Sequence, residues 1–461
     1  MTPYTKEMKP PPATKPHLAY LAAAMALVFF VWCNSAVLVP HRGESKIDDA
    51  NLHFMAVIDA GSSGSRVHVY QYTSPLSPGT SGDRVRVLPN HATFKQKPGL
   101  SSFESHPSDA GSSLESLVVF AKEHVPADKV ATTPIILKAT AGLRLVQQKS
   151  PEAVASILDS ARGVLSGSGF LFKPENAEII SGQEEGKLGW LALNYLVASS
   201  TGANLRGGDA LWGLLEMGGA SVQISLPVKG ASEIPASFIL DYTSPTSGRR
   251  GSMYTHSFLG LGGEAAQEAI QGSLLKDGRA DNPCLPKGFT ERLDGADDQG
   301  TVVTGTGDYS ACTDLMHRTL FTPQENEMAE CKKTSPHCFW NGIASPDLSK
   351  VQRLWAFENF FYIMSGVGYM KPDETMEFKV GDYARAAKEM CAKDFKDVEA
   401  HYPKDTQPKS YNKVWCFSAA YVHTFLTRGL GLDPEQTLMI GNTVGEAGID
   451  WALGAVLQHQ D

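Results

Sequence analysis

The chain has 461 residues with 50 acidic against 41 basic side chains, a net charge of −9, and 42% apolar against 20% charged residues. That length allows two domains with substantial cores, and the ordinary composition excludes large-scale disorder. The acidic balance excludes a general nucleic-acid surface, so phosphates would be met by backbone N–H groups, a metal ion and a few side chains.

From the N-terminus, residues 1–17 are rich in Pro and Lys and are expected to form a cytoplasmic tail. Residues 18–39 are largely apolar and long enough for about 33 Å of helix. They exceed the apolar core of a cleaved signal peptide, and the lysines before them predict a signal anchor with the remainder of the chain luminal or extracellular. Asn34 and Ser35 leave cleavage, and hence secretion, open as an alternative. Residues 40–52 read as a polar stem. Of seven cysteines, Cys33 lies in the apolar segment, leaving Cys284, Cys312, Cys331, Cys338, Cys391 and Cys416. An even set in an oxidising compartment predicts disulfides, with sequence neighbours paired; zinc is disfavoured because no CxxC pair or HExxH motif occurs.

Residues 55–70 read as an apolar strand, a Gly/Ser-rich turn and a returning strand. Gly61 and Gly64 suit a tight turn, and its N–H groups, with the hydroxyls of Ser62, Ser63 and Ser65, can form an anion nest. Asp59 at the strand end suits a hard cation, Ca²⁺ or Mg²⁺. Residues 211–226 repeat the plan, with Glu216 before Gly218-Gly219-Ala220-Ser221. One such turn is usually a hairpin; two matched copies, each with an acid, predict two phosphate loops with a metal between them.

Between the copies, 107–124 has helical spacing, 133–144 is a strand entering a small-residue turn, and 151–165 is a helix after Ser150. Residues 170–180 then end in a strand that leads into a helix opening at Gly182. Alternating strands and helices with a duplicated loop predict an α/β fold in two lobes. Residues 277–348 read as loop-rich and disulfide-stapled. Residues 355–364, 380–402, 416–428 and 451–458 read as helices, and their aromatic stripes as core.

Glu184 and Glu185 open the 182 helix. Acids favour first helical turns in any case, but an ionised carboxylate there can also take a proton from an attacking water. Ser221 lacks the final Gly of a nucleophile elbow, so a serine hydrolase is disfavoured; Gln223 alternates to the same face, and the two can orient a water. No Walker A loop occurs, and Gly260-Leu-Gly-Gly263 reads as a turn.

These motifs in this order resemble the apyrase family, the nucleoside triphosphate diphosphohydrolases. The resemblance is carried by 59–66, 139–144, 182–190, 218–223 and the aromatic segment at 360–362, and it extends over nearly everything after Phe54. Cys284 in Asn282-Pro-Cys284, the 331–338 pair and 415–421 resemble plant-type members, while the single N-terminal anchor resembles Golgi nucleoside diphosphatases. It implies an actin-like, sugar-kinase-like duplicated fold with nucleotide between lobes, residues 53–181 completed by 440–461 and residues 182–439. It implies Glu185 as the base, Ser221 and Gln223 positioning the water, and Asp59 and Glu216 holding Ca²⁺ or Mg²⁺ largely through water. Phosphates would lie against Ser62, Ser63, Gly64, Ser65 and Arg66, against Gly218, Gly219 and Ala220, and near Thr140, with the base between Phe361 and Tyr421. Glu216 stands where many members have Asp, and Phe361 where Tyr is common. The expected activity is hydrolysis of nucleoside tri- and diphosphates, in the Golgi lumen or at the cell surface. A polyphosphatase or phosphotransferase of the same fold, a silent nucleotide-binding protein and a structural secreted domain remain the competing readings.

Overall fold

In the computed structural model, residues 51–73, 85–88, 91–201, 211–228, 234–293, 300–401 and 409–459 are described. The predicted tail and membrane span, and the stem up to residue 50, lie outside them. Among the described residues no helix is long and apolar enough to cross a membrane.

The first predicted strand is β1 (Leu52–Ala60), and after a turn the chain returns as β2 (Ser65–Thr73), placing Asp59 opposite Arg66 and Ala60 opposite Ser65. Short strands β3 (Arg86–Val87) and β4 (Ala92–Gln96) both pair with β2, while β5 (Ile135–Ala139) runs parallel to β1 and β6 (Ala177–Ile179) parallel to β5. The apolar run of β1 is nearly continuous because both its faces are covered. Ala56 and Ile58 pack with the helices Glu115–Glu123 and Pro151–Ser166, and Met55 and Val57 with the helices Gly182–Thr201 and Trp451–His459.

The second sheet repeats this opening. β7 (Gly213–Met217) and β8 (Ser221–Pro227) form a hairpin with Glu216 opposite Gln223, extended by β9 (Ile239–Thr243) and β10 (Arg250–Leu259). A small sheet follows, of β11 (Asp281–Asn282), β12 (Thr290–Leu293) and β13 (Thr301–Gly305). β14 (Leu354–Glu358) returns to the large sheet parallel to β7, as β5 does to β1; β15 (Met376–Lys379) and β16 (Thr437–Ile440) complete it. A β17–β18 ribbon (Thr443–Val444, Ala447–Gly448) leads to the last helix.

Four expectations change. Residues 354–358 form a strand, not the start of a helix, because a short buried apolar run carries no periodicity to tell the two apart; the helix is Asn359–Gly366. Segment 277–348 is less irregular than expected, with helices Tyr309–Leu320 and Glu325–Thr334. The helix expected over 107–124 shortens to Glu115–Glu123, since 3₁₀ turns take up Pro107–Asp109 and Ser112–Leu114. The helix expected over 380–402 is two, Val380–Ala392 and Phe395–His401. The helix Trp415–Thr424 ends in a π-turn, Phe425–Gly429. The cysteines pair as sequence neighbours, 284–312, 331–338 and 391–416.

Candidate active site

Both hairpin turns close alike: Gly61 N–H donates to Gly64 O and Gly218 N–H to Ser221 O, each at 3.0 Å. The turns face one another across a cavity of about 130 Å³ that is lined by Asp59, Gly61, Ser62, Ser63, Gly64 and Arg66 from one side. Glu216, Gly218, Gly219, Ala220 and Ser221 line the other, with Thr140 and Glu185 between. A Cβ at Gly219 would stand 2.7 Å from Ser62 Oγ, which shows how closely the loops approach.

Glu185 reaches this cavity because its helix lies flat on the second sheet. A Cβ at Gly186 would meet Ser225 Oγ at 2.7 Å and Thr255 Oγ1 at 2.8 Å, so only glycine allows that approach. Arg144, on the helix Ala141–Lys149, donates to Glu185 Oε2 at 2.6 Å and to Ser221 Oγ at 3.2 Å. Gln223 Nε2 lies 3.1 Å from Glu185 Oε2, 2.7 Å from Ser221 Oγ and 3.2 Å from Ser257 Oγ. Both donors fall on Oε2, so Oε1 is the oxygen left to a ligand. Glu184 instead has its N–H on the Ser181 hydroxyl, at the helix start.

The electrostatics are lopsided. Asp59, Glu185, Glu216, Glu358 and Asp450 line the cavity against Arg66 and Lys95, with Arg144 behind. Burial pushes Asp59 well above the usual carboxylate range, and Asp450 and Glu185 push it further. Burial does the same to Glu216, reinforced by Glu185 and Glu358. Burial also raises Glu185, against the charge and hydrogen bond of Arg144. Asp59 Oδ1 and Glu216 Oε2 are buried without a hydrogen-bond partner. Two bare carboxylate oxygens on the strand ends beside the facing loops, in a cavity lined mostly by acids, are a chemically suitable seat for a hard divalent cation. Among the described residues no three His, Cys, Asp or Glu side chains gather closely enough to enclose an ion, so such a cation would keep waters or ligand oxygens in its shell.

A second cavity of about 390 Å³ adjoins the first, sharing Ser63, Arg66, Lys95, Gly218, Gly219 and Glu358 with it. Its aromatic lining is Tyr362, Trp415, Phe417 and Tyr421. Two expected site residues fall elsewhere. Phe361 is 4% exposed and packs in the core, while Tyr362, one residue on and 41% exposed, faces the cavity; one helical residue rotates the side chain by about 100°. Ser65 is buried with its hydroxyl unpartnered and does not line the cavity. It alternates to the face opposite Arg66. Tyr421 does line the second cavity, but its ring stacks on Phe417 and its hydroxyl donates to Leu261 O.

Four residues of the site were not anticipated. Lys95 is the register partner of Arg66 and donates to Ser63 Oγ at 3.3 Å. Asp450 pairs with Arg66 at 3.9 Å, just before the last helix. Arg144 was read only as part of a motif, and Glu358 as part of an aromatic helix. Lys95, Asp450 and Glu358 stand in no local pattern that singles them out; pairing across the sheet or between distant segments brings each to the cleft.

Facing phosphate-type loops with a buried acid beside them define a phosphohydrolase class. Residues 45–461 match the GDA1/CD39 (nucleoside phosphatase) family, and the chain belongs to that family. It is 32% identical, over 96% of its length and 89% of the relative's, to "Probable apyrase 5" of Arabidopsis thaliana. It is 31% identical to a nucleoside-triphosphatase of Pisum sativum, over 85% of this chain and 83% of that one. The fold is shared with a crystal structure of nucleoside triphosphate hydrolases from Neospora caninum, at a TM-score of 0.59 and 17% identity over 96% of both chains.

Proposed function

We propose that the chain hydrolyses nucleoside tri- and diphosphates by direct attack of water on the terminal phosphorus, with Glu185 as the general base. The observation that carries the reading is the convergence of Asp59, Glu216 and Glu185 on one cavity between the two loops. A water on Glu185 Oε1 gives its proton to that carboxylate as its oxygen bonds to phosphorus and the bridging P–O bond breaks. Arg144 and Gln223 fix the carboxylate through Oε2. Ser221 Oγ, holding donors from both, has its own proton free for the water. Loop N–H groups, Arg66 and Lys95 meet the phosphate oxygens, and the aromatic cavity takes the base, with Tyr362 in the stacking role expected of Phe361.

A Ca²⁺ or Mg²⁺ ion held near Asp59 and Glu216 would neutralise phosphate charge in the cleft. The adjoining aromatic cavity supports a nucleotide substrate over bare polyphosphate. In this reading the two sheets are the halves of an actin-like pair of lobes, residues 53–181 with 440–461 and residues 182–439, their similar openings being the support. An anchor at 18–39 with the enzyme in the Golgi lumen or at the cell surface completes it, supported by the three disulfides.

The test is Glu185→Gln in the full chain. Phosphate release from nucleotides should fall about 10²–10⁴-fold while nucleotide binding persists. A folded variant that binds nucleotide and keeps full turnover would rule the mechanism out.

A further inference from the structure

Glu358 ends β14 and, among the described residues, is the one non-glycine residue with positive φ (58°). Residues bearing a Cβ adopt that conformation at a cost, and such strain gathers at functional sites. It is fixed there: the Glu358 N–H donates to Asn442 Oδ1 at 2.7 Å. The side chain lines both cavities, and of the residues the two share it is the single acid, beside the cations Arg66 and Lys95. Those cations are direct register partners across β2 and β4. Like charges directly opposite destabilise a strand pair unless negative charge lies near both. Asp450 pairs with Arg66, and burial pushes the Glu358 carboxyl up while the charges of Arg66 and Lys95 pull it down.

We propose that Glu358 is a specificity-determining residue that sets the preference between phosphate tails of different charge. The inference rests on the nucleotide reading above. A nucleotide with its base in the aromatic cavity must lead its tail past the shared residues to reach Glu185. The cations attract that tail in proportion to its charge, and the Glu358 carboxylate opposes it in the same proportion. Its net effect is to hold back the triphosphate, with its extra charge, relative to the diphosphate. The hydrogen bond from its N–H to Asn442 Oδ1 holds the backbone of the acid at the junction.

Glu358→Gln in the full chain should raise the triphosphate-to-diphosphate ratio of kcat/KM about three- to tenfold, chiefly through KM. Glu358→Gly, which also relieves the backbone, should shift the ratio the same way, and Glu358→Asp should leave it near that of the unaltered protein. A purely structural Glu358 would change both substrates alike. An unchanged ratio in Gln and Gly, a shift toward the diphosphate, or an Asp variant that moves as far as Gln would overturn the proposal. Calorimetric binding of inorganic tripolyphosphate against pyrophosphate should move in parallel and needs no turnover. If the unaltered protein releases no phosphate from nucleotides, the parent reading fails, and the binding ratio still decides the role of Glu358.

Discussion

The two loops share one backbone plan but not one chemistry. The first, 61–64, carries serine hydroxyls and leads into Arg66, with Lys95 laid alongside by β4. The second, 218–220, has no polar side chain, and the strand it leads into supplies Ser221 and Gln223 to Glu185 and Arg144. One copy collects hydroxyl and cationic groups, and the other sets polar side chains around Glu185, the group the proposed mechanism gives the reacting water. Each is braced from behind by a glycine outside it. A Cβ at Gly99 would stand 2.4 Å from Gly61 O, and one at Gly262 2.3 Å from the Gly219 carbonyl carbon.

The sharpest way to break this division is to push each loop separately. Backbone atoms cannot yield cheaply, so Gly262→Ala should displace the second loop and cut kcat about 10²-fold, the scale of a misplaced reacting group. Gly99→Ala should act mainly through KM, by about tenfold, because the donors it disturbs hold ground state and transition state alike. Steady-state kinetics on both, after circular dichroism confirms folding, decides the matter. Equal effects on kcat and KM in the two variants would dissolve the distinction.

Arg144 extends the comparison, since the first half of the chain lends it to the second loop. Arg144→Gln removes charge-assisted bonds to both Glu185 and Ser221 and should lower kcat about 10–10²-fold. It should also move the pH profile. In the proposed mechanism Glu185 works ionised, so activity should fall as pH drops through its folded pKa, which burial raises and Arg144 pulls down. Without the guanidinium the acid limb of kcat should shift to higher pH. An acid limb that stays in place would mean that Arg144 does not govern the charge on Glu185.

How far this was legible depends on whether neighbours in sequence are also neighbours in space. Asp59 and Glu216 sit beside their loops, so local spacing betrayed both, whereas the helix start offers Glu184 and Glu185 alike and only the family resemblance points to Glu185. Lys95, Asp450 and Glu358 are ordinary residues until strand pairing and the chain's return at 437–450 bring them to the cleft. Gly260–Gly263 read as a weak turn, and its value lies only in what Gly262 touches. Tyr362 lining the cavity in place of Phe361 shows the finer limit: a motif locates the aromatic segment, but the helix phase decides which ring faces the cavity. Leu354–Glu358 shows that a buried strand and a buried helix turn share one vocabulary.

The two loop acids allow the mildest test, made on stability alone. Asp59 and Glu216 both have folded pKa values raised by burial, so the folded chain binds their protons more tightly than the unfolded chain does. Their contribution to stability is therefore full at low pH and is lost as pH rises through the folded values. Above those folded values, without cation, each burdens the fold with a buried charge that has one unpartnered oxygen. On that side of the titration, Asp59→Asn and Glu216→Gln should each raise the Tm in chelator by about 1–3 °C. In the unaltered protein Ca²⁺ or Mg²⁺ should raise Tm, because a ligand of the folded state alone stabilises it, and each variant should lose most of that rise. Calorimetry with and without chelator measures both signs together. If one variant keeps the cation response and the other loses it, the ion belongs to a single loop, and the symmetry of the two hairpins ends at their backbones.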